Sequence, residues 1–135
     1  MKKRVLFICT HNSARSQMAE GLLRHLAGDR YEAFSAGTEA TFVRPPAIAA
    51  MRELGIDISS QYSKTTEAFA GQTFDFVITV CDSAKEACPF FPGGAQRLHW
   101  SFEDPAAATG SEEERLRVFR RVRDAIAERI REVLL

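Results

Sequence analysis

The 135-residue chain has few cysteines, few histidines, no long apolar run and no net charge. Its three cysteines, Cys9, Cys81 and Cys88, are an odd number, which argues against the stapled framework of a small secreted fold. No Cys-x-x-Cys pair occurs, and His11, His25 and His99 are scattered, so no closed zinc site and no resident metal or cofactor are expected. The apolar stretches run only a handful of residues, well short of the roughly 20 needed to span a bilayer. Met1-Lys2-Lys3-Arg4 leads into a run too short for a signal peptide, so the expected location is the cytoplasm, away from membranes. Eighteen Lys and Arg balance 18 Asp and Glu. That balance leaves no broad basic surface for nucleic acid.

What remains suits one globular domain over residues 1–135, with 45% hydrophobic residues and no sign of an obligate partner subunit. A monomer is the expectation. Arg4 to Cys9 is a continuous apolar run, the pattern of a strand covered on both faces. After a polar loop, Met18, Leu22 and Leu26 share a helix face that ends at Gly28. Tyr31 to Ala36 is a second strand. Pro45-Pro46 opens a helix carrying Ile48, Met51 and Leu54. A short helix is expected near Thr66–Ala70, strands over Phe74–Val80 and Gln96–Trp100, and a loop over Phe102–Gly110. Asp82 to Ala87 reads as a helical turn or two. Ser111 and Glu114 form a capping box ahead of Leu116, Phe119, Val122, Ile126, Ile130 and Val133 at helical spacing. The arginines of that helix, Arg115, Arg117, Arg120, Arg121, Arg123, Arg129 and Arg131, read as a solvated face. Alternating strands and helices predict an α/β fold of flavodoxin-like, three-layer type: a four-stranded parallel sheet with helices on both faces.

Ligands of such sheets sit beyond the carboxyl ends of the strands. The first turn there is Cys9-Thr10-His11-Asn12-Ser13-Ala14-Arg15-Ser16, between a strand and a helix. Backbone N–H groups of Thr10 to Ser16, the helix amino terminus and the Arg15 fork together suit a tetrahedral oxyanion. The same field favours a nucleophilic thiolate at Cys9, with Ser13 or Ser16 as a hydroxyl donor to it. Asn12 tolerates the left-handed backbone that a tight cradle needs. The Gly-Lys-Ser/Thr ending of a Walker loop is absent, so nucleotide binding is not implied.

The segment VLFICTHNSARSQMAEGLLR resembles the amino-terminal motif of the low-molecular-weight tyrosine phosphatase fold, and more narrowly the thioredoxin-recycled arsenate reductases built on it. The resemblance continues through Ser35-Ala36-Gly37, Val80-Cys81-Asp82, Cys88-Pro89 and HWSFEDPAAATG, so it covers essentially the whole chain. It implies cytosolic arsenic detoxification. Cys9 would attack arsenate, Cys81 would resolve the adduct, and Cys88 would carry the disulfide onward to thioredoxin or a glutaredoxin-type reductant. Asp104 matches the phosphatase general acid. Ala106-Ala107-Ala108 stand where phosphatases carry aromatic residues, which argues against aryl phosphates. Asn12, Glu20 and Ser35 match a potassium site of some relatives, with Lys64 near the position of a further acidic ligand. His11 replaces a glycine, either adding a donor near the oxyanion or facing solvent.

The cradle alone does not choose between phosphate and arsenate. A phosphatase, a sugar-uptake phosphotransfer module and a non-catalytic oxyanion sensor stay open beside the reductase. Arg15 counts against the phosphotransfer module, and the two further thiols count for a reductase, because reducing As(V) takes two electrons. A continuous helix from Cys81 to Cys88 would hold their Cα atoms roughly 10 Å apart, beyond the ~7 Å limit of a disulfide. That segment is therefore expected to lose helix when the two are bonded.

Overall fold

A computed structural model describes residues 2–82 and 90–135. The chain runs β1 (Lys3–Cys9), α1 (Arg15–Ala27), β2 (Tyr31–Gly37), α2 (Pro45–Arg52), a 3₁₀ turn (Thr66–Phe69), β3 (Phe74–Thr79), β4 (Gly94–His99), a second 3₁₀ turn (Pro105–Ala107) and α3 (Glu112–Val133). The four strands lie in the order β2-β1-β3-β4, and all three pairings are parallel. β1 is central and buried from Val5 to Cys9, as its unbroken apolar run requires. Cys9 stands opposite Gly37 of β2, and Ile8 opposite Thr79 of β3. The ends of three strands therefore meet at one edge of the sheet.

The two faces of the sheet are built differently. Val5, Phe7 and Cys9 of β1 share one core with Met18 and Leu22 of α1, Met51 of α2, and Phe119, Val122, Ile126 and Ile130 of α3. Leu6 and Ile8 point to the other face, where they join Phe69, Phe74, Val77 and Phe91, with Phe34 packed alongside. Phe34, Phe69 and Phe74 make mutual edge-to-face contacts at 5.6–5.7 Å between ring centres. That geometry aligns positive ring edges with negative ring faces. The described cover of this second face is thus a 3₁₀ turn and a phenylalanine cluster. The expected turns over 82–87 and Cys88 itself lie outside the described residues, apart from Asp82. No described helix is long and apolar enough to cross a membrane.

Local rules account for most element ends. Pro45 and Pro46 occupy the first turn of α2, and Gly55 follows it at φ +76. At α3 both hydrogen bonds of the Ser111–Glu114 box are present. Three expectations are corrected. The stretch 102–110 is not all loop, because Asp104 accepts a hydrogen bond from the Ala106 N–H and so caps a turn over Pro105–Ala107. Val133 is 45% exposed and Leu134 is buried in its place, since the stripe through Ile126 and Ile130 continues with equal ease to position 134. Arg123 is not on a solvated face: it is 7% exposed. Its Nη1 donates to the Ala50 carbonyl at 2.6 Å and to Glu53 Oε1 at 2.8 Å. The last carbonyls of α2 lack partners within their own helix, and a guanidinium from α3 supplies one. Arg120 adds a bidentate pair to the same Glu53.

Arg123→Ala should lower stability by about 2 kcal/mol or more, because it leaves Glu53 and the Ala50 carbonyl short of a partner. Arg117→Ala, at an exposed position of the same helix, should stay within about 0.5 kcal/mol. Urea unfolding of both variants checks this, and equal losses would contradict the role of Arg123 as a link between helices.

Candidate active site

The loop from Thr10 to Ala14 leaves β1 at the sheet edge and turns directly into α1. Outside groups hold its carbonyls. The Thr10 carbonyl accepts from the Glu39 N–H at 3.0 Å and the Ser13 carbonyl from the Arg44 N–H at 2.9 Å. The His11 carbonyl accepts from the hydroxyls of Ser63 and Thr41. In a trans peptide the following N–H points opposite to the carbonyl. The amides of His11, Asn12 and Ala14 are thereby turned away from these holding segments, which leaves them as donors for an anion. Asn12 has φ +49, the left-handed value the sharp turn requires, and is the only non-glycine residue described with positive φ.

Cys9 is 2% exposed, and its Sγ lies 2.8 Å from Ser16 Oγ. Asn12 Nδ2 donates to that same Ser16 oxygen at 2.7 Å. An amide N–H can only donate, so the hydroxyl accepts from Asn12 and keeps its own proton available, to be donated to the sulfur when Cys9 is a thiolate, which can only accept. Of the two candidate serines, Ser16 is the one that meets the thiol. Asn12 is itself held, with Oδ1 accepting from Gln17 Nε2 at 2.8 Å and from the Lys64 N–H at 2.9 Å. Gln17 is fully buried. It donates to the Tyr62 carbonyl and accepts from Gln61 Nε2 at 2.7 Å. Sequence reasoning missed Gln17 and Gln61. The available signal was a polar residue at position 17, next to the apolar Met18 and at the mouth of the loop.

Arg15 is also 2% exposed. Its Nη1 donates to the Phe102 carbonyl at 3.3 Å, and Nη2 lies 3.8 Å from Asp104 Oδ2. Arg15 and Asp104 therefore come together, with Asp104 steadied by the Ala106 N–H. Cys81 is buried, and its thiol points at the Ile8 carbonyl at 3.9 Å. Val80 N–H also bonds the Ile8 carbonyl, so the β1–β3 register continues past Thr79. The next pair in that register is Cys9 and Val80, so Cys81 follows one residue beyond the position opposite Cys9, two residues past the end of β3. Neither sulfur is in a disulfide. Cys88, the third expected thiol, lies outside the described residues.

Gly37 closes the site from β2. A Cβ there would stand 2.8 Å from both the Asn12 nitrogen and the Thr10 oxygen, so the loop packs onto bare backbone. Behind the loop, Ser35 Oγ donates to Glu20 Oε1 at 2.5 Å and Arg24 to Glu20 Oε2 at 2.7 Å. Lys64 Nζ lies 3.9 Å from Glu20 and donates to the Tyr62 carbonyl. Burial pushes the Lys64 ammonium below its usual range, and the Glu20 charge partly restores it. The expected oxygen set of Asn12, Glu20 and Ser35 thus has a protein cation beside it. His11 is 40% exposed and its Nε2 lies 3.7 Å from Glu39 Oε2. Both residues line a cavity of about 760 Å³ with Thr10, Asp82 and Asp104.

The chain matches the low molecular weight phosphotyrosine protein phosphatase family over residues 4–134. An arsenate reductase of Halalkalibacterium halodurans is 50% identical over 130 residues, 96% of this chain and 94% of that one. Among solved structures, an arsenate reductase in the phosphate binding state superposes with a TM-score of 0.83 at 38% identity, covering 98% of this chain and 96% of that one. A thioredoxin-dependent arsenate reductase of Corynebacterium glutamicum superposes at 0.67 with 30% identity, covering 98% of this chain and 60% of the other.

The hydroxyl chain has a measurable consequence. Ser16→Ala should slow alkylation of Cys9 by iodoacetamide at pH 7 about tenfold, the scale of one lost hydrogen bond to a charged group. Ser13→Ala should change it by less than about twofold, since its hydroxyl is not the group that meets the sulfur. Peptide mass mapping reads both rates, and equal slowing would overturn the assignment of Ser16.

Proposed function

The chain belongs to the low molecular weight phosphotyrosine protein phosphatase family, and within it we propose that this member reduces arsenate to arsenite by thiol chemistry, with electrons from thioredoxin or a similar dithiol. The observation that carries the reading is the second buried thiol, Cys81, two residues past the end of the neighbouring strand, with its Sγ 3.9 Å from the carbonyl of Ile8, the residue before Cys9. A phosphatase has no use for it. Phosphoryl transfer needs a nucleophile, a cradle and an acid, and Cys9, the 10–16 loop with Arg15, and Asp104 supply those. Reduction also needs a second sulfur to receive the bond that arsenic gives up.

The steps follow from that pair. The cradle amides and Arg15 hold the tetrahedral arsenate, and the Cys9 thiolate attacks arsenic. A Cys9 S–As bond forms while an arsenate oxygen leaves as water. Asp104 provides a proton for that oxygen, a role that its position beside Arg15 supports. The Cys81 thiolate then attacks the Cys9 sulfur. The S–As electron pair stays on arsenic, so As(V) becomes As(III), arsenite leaves and a Cys9–Cys81 disulfide remains. Attack by Cys88 on the Cys81 sulfur frees Cys9 and moves the disulfide to Cys81–Cys88. An external dithiol reduces that bond and restores three thiols. Two thiols give up two electrons in each cycle, which equals the requirement of arsenate.

The test is arsenate-dependent oxidation of reduced thioredoxin by the purified protein. Cys9→Ser should abolish it, along with any hydrolysis of an aryl phosphate. Cys81→Ser should stop turnover while leaving hydrolysis within about a factor of three, because only the redox branch uses that sulfur. Cys88→Ser should allow one turnover and trap a Cys9–Cys81 disulfide visible by peptide mass mapping. Absence of arsenate-dependent thioredoxin oxidation in the wild type, with aryl phosphate hydrolysis intact, would instead make the protein a phosphatase.

A further inference from the structure

The cavity in front of the cradle is unusually rich in carboxylates for a site that takes an anion. Glu39, Asp82, Glu103 and Asp104 all line it. Glu103 is neutralised from α3 by Arg121 at 2.7 Å, and Asp104 faces Arg15 at 3.8 Å. Glu39 has one cationic partner among the described contacts, the His11 imidazole at 3.7 Å. The backbone of His11 cannot swing out of the way. Its carbonyl is held by Ser63 and Thr41, and its neighbour Thr10 is tied to the Glu39 N–H. The two backbones are thus fixed at the rim, and the ring and carboxylate they carry meet at its solvent side.

Histidine is the side chain whose charge changes between about pH 5 and 8. As a neutral ring, His11 leaves the Glu39 charge unbalanced in the path of an incoming oxyanion. As imidazolium, it cancels that charge and adds a positive end beside the cradle. We propose that His11, held by Glu39, is the charge-setting residue of this entrance: its protonated form favours a tetrahedral oxyanion in the cradle, and the bound oxyanion in turn holds the proton on His11. The two statements are one coupling seen from either side, because linkage between two binding events is reciprocal. The charged groups that share the cavity with the ring are Glu39 after β2, Asp82 after β3, and Glu103 and Asp104 after β4, with Arg15 of α1 behind Asp104. Within the proposed arsenate reduction, on which this last point rests, the device also separates substrate from product. Arsenate is an anion near neutral pH and arsenious acid is uncharged, so the imidazolium holds the first and not the second.

The experiment follows the ring protons of His11 by NMR in the reduced protein, with His11→Gln giving the assignment, from pH 5 to 9 with and without inorganic phosphate as the probe. Saturating phosphate should raise the proton affinity of His11 by a factor of about five or more, the low end of typical couplings between sites. With arsenate and thioredoxin, the ratio of wild-type to His11→Gln kcat/KM should grow as pH falls, and the effect should fall on KM more than on kcat. The ionisation of arsenate itself cancels in that ratio. A His11 titration that phosphate does not move, or a ratio flat in pH, overturns the proposal. A wild type inactive toward arsenate would remove the reductase reading, while the phosphate titration would still decide the role of His11.

Discussion

The direction of one hydroxyl proton organises this site. Ser16 can stabilise a Cys9 thiolate only by giving its proton to the sulfur, and the Asn12 amide, which must donate to the Ser16 oxygen, holds the hydroxyl beside the sulfur with that proton to spare. Asn12 can present that amide only from a left-handed backbone and with its own carbonyl oxygen held by Gln17 and the Lys64 N–H. Gln17 is oriented in turn by Gln61 and the Tyr62 carbonyl. A chain of donors and acceptors thus runs from the segment at 61–64, through α1 and the loop, to the sulfur. Each member is specified by what the previous one can accept, and buried networks of this kind hold a unique arrangement only when every member is satisfied.

That dependence explains the division of labour in the fold. The sheet carries Cys9 and Gly37 to one edge by register, and the end of β3 delivers Cys81 beside them two residues later. The helix-covered face fixes α1, and with it Ser16 and Arg15, on a well-packed core. The opposite face is held by interlocked phenylalanine rings, with the Arg4 guanidinium lying over Phe34 and Phe74. Cys9 therefore ends a strand of the sheet and Cys81 follows two residues past β3, while three of the charged groups near them arrive on loops: Asp104 after β4, Glu39 after β2 and Lys64 ahead of the 3₁₀ turn. Precise placement of the sulfurs and adjustable placement of the charges come from different kinds of backbone.

What could be read in advance follows the same line. The apolar run of β1, the Cys-to-Arg spacing across a strand–helix turn and the Ser111–Glu114 box are local patterns, and local physics decides them. The sheet order and the three-layer fold follow from alternation and right-handed crossover. The choice of Ser16 over Ser13 was not legible, because it depends on which way Asn12 turns. Gln17 and Gln61 were not legible because they meet across 44 positions of sequence. Arg123 looked like one more exposed arginine until α2 placed its last carbonyl against it. In each case the deciding partner comes from a distant segment, and periodicity carries no information about that.

Gly37 lends itself to a reading in terms of inheritance. Its backbone is unstrained, so the demand for glycine comes from the space that Thr10 and Asn12 take up. Any other residue at the end of β2 would shift the loop that frames the sulfur. The second strand contributes no reactive group, yet its last position cannot drift independently of the first turn. Two stretches of the gene more than 20 codons apart therefore have to vary together or not at all, and a change in either is silent only when the other permits it.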